Sequence, residues 1–294
     1  MGLSEVAQGQ AHCERVFVNM RLYYAHPVRR MAMILVLMIP LALPSTSDSM
    51  LYGGTTQVLL ASEYAVVIAS DRAQHASNAG RDPHEQQKVE RVGRVIVGIS
   101  GTVAVIGADG KRVDLQETVP PLLRRYEWAE PQRDIENLTH ALADILPALE
   151  NWVIPGSPDP ELTPQVTILL AGVSDLMGTF AAQIRYPGRY VATGNGYRLA
   201  LDKPLVDYYD IKPGKVIVSI QTRREDVERR AKDLIAGRAS DEKYPLLARF
   251  LANPPNEMNE TLLKAAAAEL VRVTMDLDDH IGGGIDVISL KHRP

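Results

Sequence analysis

The chain has almost no cysteine. One residue, Cys13, stands among 294, and it lies in an N-terminal segment of distinct character, so the body has neither a disulfide framework nor a thiol nucleophile. This fits a reducing cytosol. An excess of either charge is lacking too. A net charge of −4 and a pI near 6.0 leave no basic footprint for a polyanion, which argues against a nucleic-acid partner. Long hydrophobic runs are missing: the apolar stretch 31–43 has thirteen residues, short of the ~20 a membrane span needs. No glycine-rich phosphate loop of Walker or dinucleotide type occurs, so any ATP dependence would come from a partner. The histidines His75, His84, His140, His280 and His292 are scattered, and Asp82-Pro83-His84-Glu85 is too polar and irregular for a metal site. Neither metal nor cofactor is expected, and no long internal repeat or low-complexity tract appears.

What remains is a chain of 46% hydrophobic content, enough for one substantial core, and a single domain with an appended leader is the economical reading. Within residues 1–54, Arg29-Arg30 precede the apolar run 31–43 and then Pro44-Ser45-Thr46-Ser47-Asp48-Ser49. This is the basic, apolar, small-and-polar layout of a secretory signal. Three readings compete: an export signal over 29–49, a propeptide that looks like one, or upstream sequence from a misplaced start, with Met20, Met31 and Met50 as alternative starts.

The chemistry gathers just after this leader. Gly53-Gly54-Thr55-Thr56-Gln57-Val58-Leu59-Leu60 is followed by Ala65-Val66-Val67-Ile68-Ala69-Ser70-Asp71-Arg72, which predicts strands over 57–61 and 64–69 joined by a Ser62-Glu63 turn. A hydroxyl residue behind two glycines has a flexible peptide bond on its N-terminal side, able to bend as an attack on its own preceding carbonyl requires. Cutting Gly54–Thr55 would give Thr55 a free α-amine of pKa about 7.7–8.0, so that one residue carries nucleophile and base.

Gly-Thr-Thr, a strand, a turn, a second strand and Asp-Arg resemble the opening of a catalytic proteasome β subunit, an N-terminal nucleophile (Ntn) hydrolase. In that family the nucleophile and the strand-end aspartate stand sixteen positions apart, as Thr55 and Asp71 do; this spacing selects Thr55 over Thr56. The resemblance implies an α+β fold, a four-layer αββα sandwich over 55–294, with 1–54 removed. The pattern of the chain is similar along its length. A polar loop or β excursion over 72–87 leads to a hairpin, 88–92 and 94–100, turning near Gly93 and closed by Ser100-Gly101-Thr102. An extended piece at 103–106 departs from the usual subunit. Helical patterns come next over 115–128, broken by Pro120-Pro121, and 135–152. Beyond a proline-rich connector at 155–164 come strands over 165–172, 179–186 and 190–193. Thr193-Gly194-Asn195-Gly196-Tyr197 resembles the family's Gly-Ser-Gly turn into a third helix, over an irregular 198–216. Two clearer helices, 223–236 and 260–275, flank an insertion at 252–256, and Gly282-Gly283-Gly284 precedes a last strand, 285–290.

The resemblance also assigns roles. Thr55 is nucleophile and base; Asp71 orients it together with Lys88, whose ammonium lowers the pKa of hydroxyl and amine. Gly101 supplies an oxyanion N–H, a donor worth roughly 3 kcal/mol. Asn195 and Gly282 stand where active members carry serines, while Asp279 keeps the family's aspartate three residues before Gly282. The implied protein is a threonine-type endopeptidase, self-processed at Gly54–Thr55, cytoplasmic unless 29–49 exports it. It would act on polypeptides inside a homo-oligomeric ring, with an ATPase or an α-type ring as partner. Two other readings stay open: a catalytically inactive structural subunit, and an Ntn amidase for small amides.

Overall fold

A computed structural model describes residues 49–54, 56–76, 80–82, 85–158, 164–247, 259–279 and 281–292. The chain divides into two units, Met1–Ser45 and Thr46–Pro294, and every described residue falls in the second. The signal-like stretch up to residue 48, Thr55 itself and the insertion at 252–256 lie outside the described residues, as does 159–163 of the connector.

Strands β1 (Met50–Gly54), β2 (Gln57–Ala61) and β3 (Ala65–Asp71) precede a short excursion, β4 (Gln74–Ala76) and β5 (Gly80–Asp82), and the hairpin β6 (Val89–Val92) and β7 (Val95–Ile106). Strand β8 (Arg112–Asp114) leads into helices α1 (Leu115–Leu123), α2 (Pro131–Ile145) and α3 (Pro147–Glu150). Then come β9 (Ile154–Pro155), the hairpin β10 (Val166–Ser174) and β11 (Gly178–Tyr186), and a second hairpin, β12 (Gly188–Thr193) and β13 (Gly196–Leu201). Strands β14 (Leu205–Tyr209) and β15 (Ile217–Gln221), helices α4 (Glu225–Ile235) and α5 (Glu260–Leu277), and strand β16 (Ile285–Lys291) complete the order. The fold is α+β.

The large sheet runs β14-β11-β10-β7-β1-β4-β5, with β6 and β8 also paired to β7; a second runs β15-β2-β3-β16, and a small third β12-β13-β9. Every residue of β2 and β3 is buried, as near-continuous apolar strands covered on both faces should be. Their side chains nevertheless divide by the two-residue period of a strand. Val58, Leu60, Val67 and Ala69 join a cluster with α4 and α5, including Ala231, Leu263 and Leu270. Leu59, Ala61, Val66 and Ile68 join another with Ile96, Leu169 and Ala171 of the large sheet. A third cluster sets Val97, Ile99, Ile168 and Leu170 of that sheet against Leu123 of α1 and Leu138 and Leu142 of α2.

Four sequence expectations change. Residues 50–54 are not separate from the body: β1 pairs on both sides within the large sheet, because its Leu51 belongs to the apolar cluster under α1 and α2. Gly101 does not close a hairpin. It lies inside the twelve-residue β7 with φ of 83°, since β10 pairs with β7 up to Gly101 on one edge and β1 pairs with it from Gly101 onward on the other. The helix expected to 128 ends at Leu123. The third helix over 198–216 is absent: Tyr197 and Leu199 are buried while Arg198 between them is exposed, a period of two that makes β13 a strand.

Candidate active site

Strand β7 positions the site from one edge. Its other edge is taken by β10 along 95–101, which leaves the facing edge to β6 along 95–98 and to β1 along 101–106. Lys88, immediately before β6, accepts the Ile99 N–H through its carbonyl at 3.2 Å, and Gly54 at the end of β1 faces Gly101. Two positions on one strand, Ile99 and Gly101, therefore bring Lys88 and Gly54 to the same place.

Asp71 completes the arrangement from the second sheet. It ends β3, is fully buried, and accepts the Lys88 ammonium at 3.2 Å on Oδ1. The backbone N–H of Thr56 donates to the same oxygen at 3.1 Å, and that of Gly282 to Oδ2 at 3.4 Å. Lys88 Nζ also donates to the carbonyl of Ala73. Burial pushes the Lys88 ammonium below its ordinary value, and the charge of Asp71 opposes that shift. Ser70 Oγ donates to the Thr56 carbonyl at 2.6 Å, so Thr56 is held through both its N–H and its C=O.

The glycine turn is tied to this centre by backbone. Arg72 N donates to the carbonyls of Gly282 at 3.2 Å and Gly284 at 3.0 Å, and Ala73 N to Gly282 at 3.0 Å. Gly283 takes φ of 73°, and a Cβ there would stand 2.8 Å from Glu85 Oε1, so the turn requires glycine. Gly282 thus reaches Asp71 with its amide where the family pattern has a serine side chain.

Thr55 lies outside the described residues, but both chain neighbours are inside: Gly54 opposite Gly101, and Thr56 bonded to Asp71. Asn195 is not brought to this place. It stands exposed at the Thr193–Gly196 turn of the small third sheet. The acidic residue after α5 also differs from expectation. Asp279 is exposed, whereas Asp278 is buried at 1% and takes a bidentate bond from Arg223, at 2.9 and 2.8 Å. The signal was available, because Val271, Thr274 and Asp278 continue the buried helical stripe at spacings of three and four. Arg223 carried no such signal.

Two further features gave no signal in the sequence. Gln57 is fully buried, and neither its Oε1 nor its Nε2 has a hydrogen-bond partner; its amide packs against Gly98, where a Cβ would lie 3.0 Å from it. The hydroxyl of Thr56 is likewise buried and unpartnered. Among the described residues, no group of three or more His, Cys, Asp or Glu could hold a metal ion, and no helix is long and apolar enough to cross a membrane.

The structure is similar to BPH of Thiobacillus denitrificans, at 13% identity and TM-score 0.44, covering 82% of this chain and all of that one. The same protein in complex with epoxomicin aligns at 14% identity and TM-score 0.42, with the same coverage. Anbu (ancestral beta-subunit) from Yersinia bercovieri aligns at 12% identity and TM-score 0.45, over 81% of this chain and 82% of that one. No protein-family model and no curated protein matches the sequence.

Proposed function

We propose that the chain is a proteasome-β-like Ntn hydrolase that cuts its own Gly54–Thr55 bond and then hydrolyses peptide bonds through Thr55. One observation carries this. The residues on either side of that bond are held by the groups the chemistry needs: Gly54 faces Gly101, and Thr56 is bonded to the Asp71 carboxylate that also holds Lys88. The three apolar clusters, helix-to-sheet, sheet-to-sheet and sheet-to-helix, support the four-layer αββα arrangement of such an enzyme.

In maturation, Thr55 Oγ adds to the Gly54 carbonyl, and the oxygen that becomes negative is met by the Gly101 N–H. Collapse expels the Thr55 nitrogen, which takes a proton and becomes the free amine, leaving an ester between Gly54 and Thr55 Oγ. Water then cleaves the ester to a Gly54 carboxylate and the Thr55 hydroxyl. On a substrate the same Oγ attacks, the new α-amine accepts its proton and passes it to the leaving amine, and water releases the acyl group. Lys88, kept charged by Asp71, favours ionisation of the nearby hydroxyl. Polypeptide substrates and assembly into a homo-oligomeric ring belong to the same reading.

The test is the N-terminus of purified protein, by intact mass and N-terminal sequencing, for wild type and Thr55→Ala. A wild-type chain beginning at Thr55 beside an uncut variant is the expected result. An uncut wild type would leave the inactive structural subunit as the better account. Turnover of small acyl amides without turnover of peptides would favour the amidase.

A further inference from the structure

Maturation as proposed above cuts the chain after Gly54, and the residues it would separate are the ones the large sheet can least spare. Strand β1 is internal to that sheet. Its five residues pair with Gly101–Ile106 of β7 on one side, and Tyr52, Gly53 and Gly54 pair with Ala76, His75 and Gln74 of β4 on the other. Among the described residues, the β4–β5 excursion joins the sheet only through β1. Leu51 is 1% exposed within the apolar cluster beneath α1 and α2, and Ser49 Oγ accepts the Ala108 N–H at 3.1 Å. Loss of the strand would uncover Leu51's pocket and leave backbone donors and acceptors of β4 and β7 without partners, a large cost for buried peptide groups.

We infer that scission does not open the site: the cut leader stays in place as a non-covalent strand, its new Gly54 carboxylate beside Gly101, and blocks the groove it fills. The mature enzyme is then self-inhibited. Turnover requires a polypeptide able to add as an antiparallel strand between β4 and β7 and to displace residues 49–54. This rests on the maturation reading, because an uncut leader would be an ordinary covalent strand.

The experiment uses full-length protein after processing. Native gel filtration followed by intact mass of the peak should show the 55–294 piece together with an equal amount of a fragment ending at Gly54, whatever its N-terminal end. A peak holding the 55–294 piece alone overturns the inference while leaving the maturation reading intact. An uncut chain overturns the maturation reading and this inference with it. Leu51→Asp, outside the catalytic groups, should weaken retention about 10- to 100-fold, the loss of one buried leucine, and raise peptide turnover correspondingly. If that variant does not fold, a synthetic hexapeptide of residues 49–54 added to wild type should slow peptide turnover, and the same peptide with aspartate in place of Leu51 should not. Equal inhibition by both peptides, or by neither, overturns the inference.

Discussion

Lys88 is a charge removed from water, and its cost shows in its proton affinity. Burial lowers its pKa from the ordinary lysine value of about 10.4. A lysine depressed in the folded state binds fewer protons than the unfolded chain between its folded pKa and about 10.4. Its burial therefore destabilises fully below the folded pKa, and that penalty is relieved as pH rises from the folded pKa towards about 10.4. Lys88→Met should lose this gain, visible as a wild-type-minus-variant difference in urea midpoint that grows as pH rises above the folded pKa towards about 10.4. At pH 7 the same variant should be destabilised by about 3–5 kcal/mol, since Asp71 keeps its amide donors but loses its cation. Self-processing should fall by about 10²–10⁴-fold. A second pair separates neighbouring acids. Asp278→Asn, leaving Arg223 without its bidentate carboxylate, should cost about 3–5 kcal/mol by thermal or urea denaturation. Asp279→Asn, on the surface, should stay within about 0.5 kcal/mol. Equal effects would mean that the buried acid has been misassigned.

At the scale of elements, β7 is the organiser, and its irregularity at Gly101 is specific. With φ of 83° and an ideal Cβ only 2.0 Å from the Gln165 carbonyl oxygen, the position excludes any side chain. Gly101→Ala would require the backbone to move, disturbing the pairing to Val166 on one side and Gly54 on the other. The expected loss is about 1–3 kcal/mol of stability, with impaired cleavage at Gly54 beyond what stability explains, measured as processing rate at a temperature where the variant is fully folded. Sequence pattern made much of this level legible. The hairpin of β2 and β3, the β10–β11 hairpin, both long helices and β16 all declare themselves by periodicity of two or 3.6. It failed where local pattern was silent. Met-Leu-Tyr-Gly-Gly has too little length to announce a strand, and β1 exists because β7 and β4 receive it. The Gly194–Asn195 pair marks a turn in either case, and only the burial of Tyr197 and Leu199 makes residues 196–201 a strand.

For the whole molecule, the cluster between the two sheets joins them into one cooperative body. Leu169 is fully buried there among Leu59, Ile68 and Ile96. Leu169→Ala should cost about 2–5 kcal/mol. Because both tryptophans, Trp128 and Trp152, lie on the helix side of the large sheet, the lesion and the reporter sit on opposite faces. Fluorescence and far-ultraviolet circular dichroism should shift together along one denaturant transition. Separate transitions would show that the sheets unfold independently.

The sequence by itself determined the α+β composition, the strand that ends at Asp71, the lysine that opens the next hairpin, and the glycines before Thr55, because these rest on short-range alternation, turn chemistry and spacing. Tertiary structure alone decided that Asp71, Lys88 and Thr56 share one buried centre, that Asp278 rather than Asp279 faces inward, that Asn195 lies on another sheet, and that residues 50–54 belong to the body. Those are matters of pairing between segments far apart in the chain, where a strand's edge is defined by the neighbour it meets.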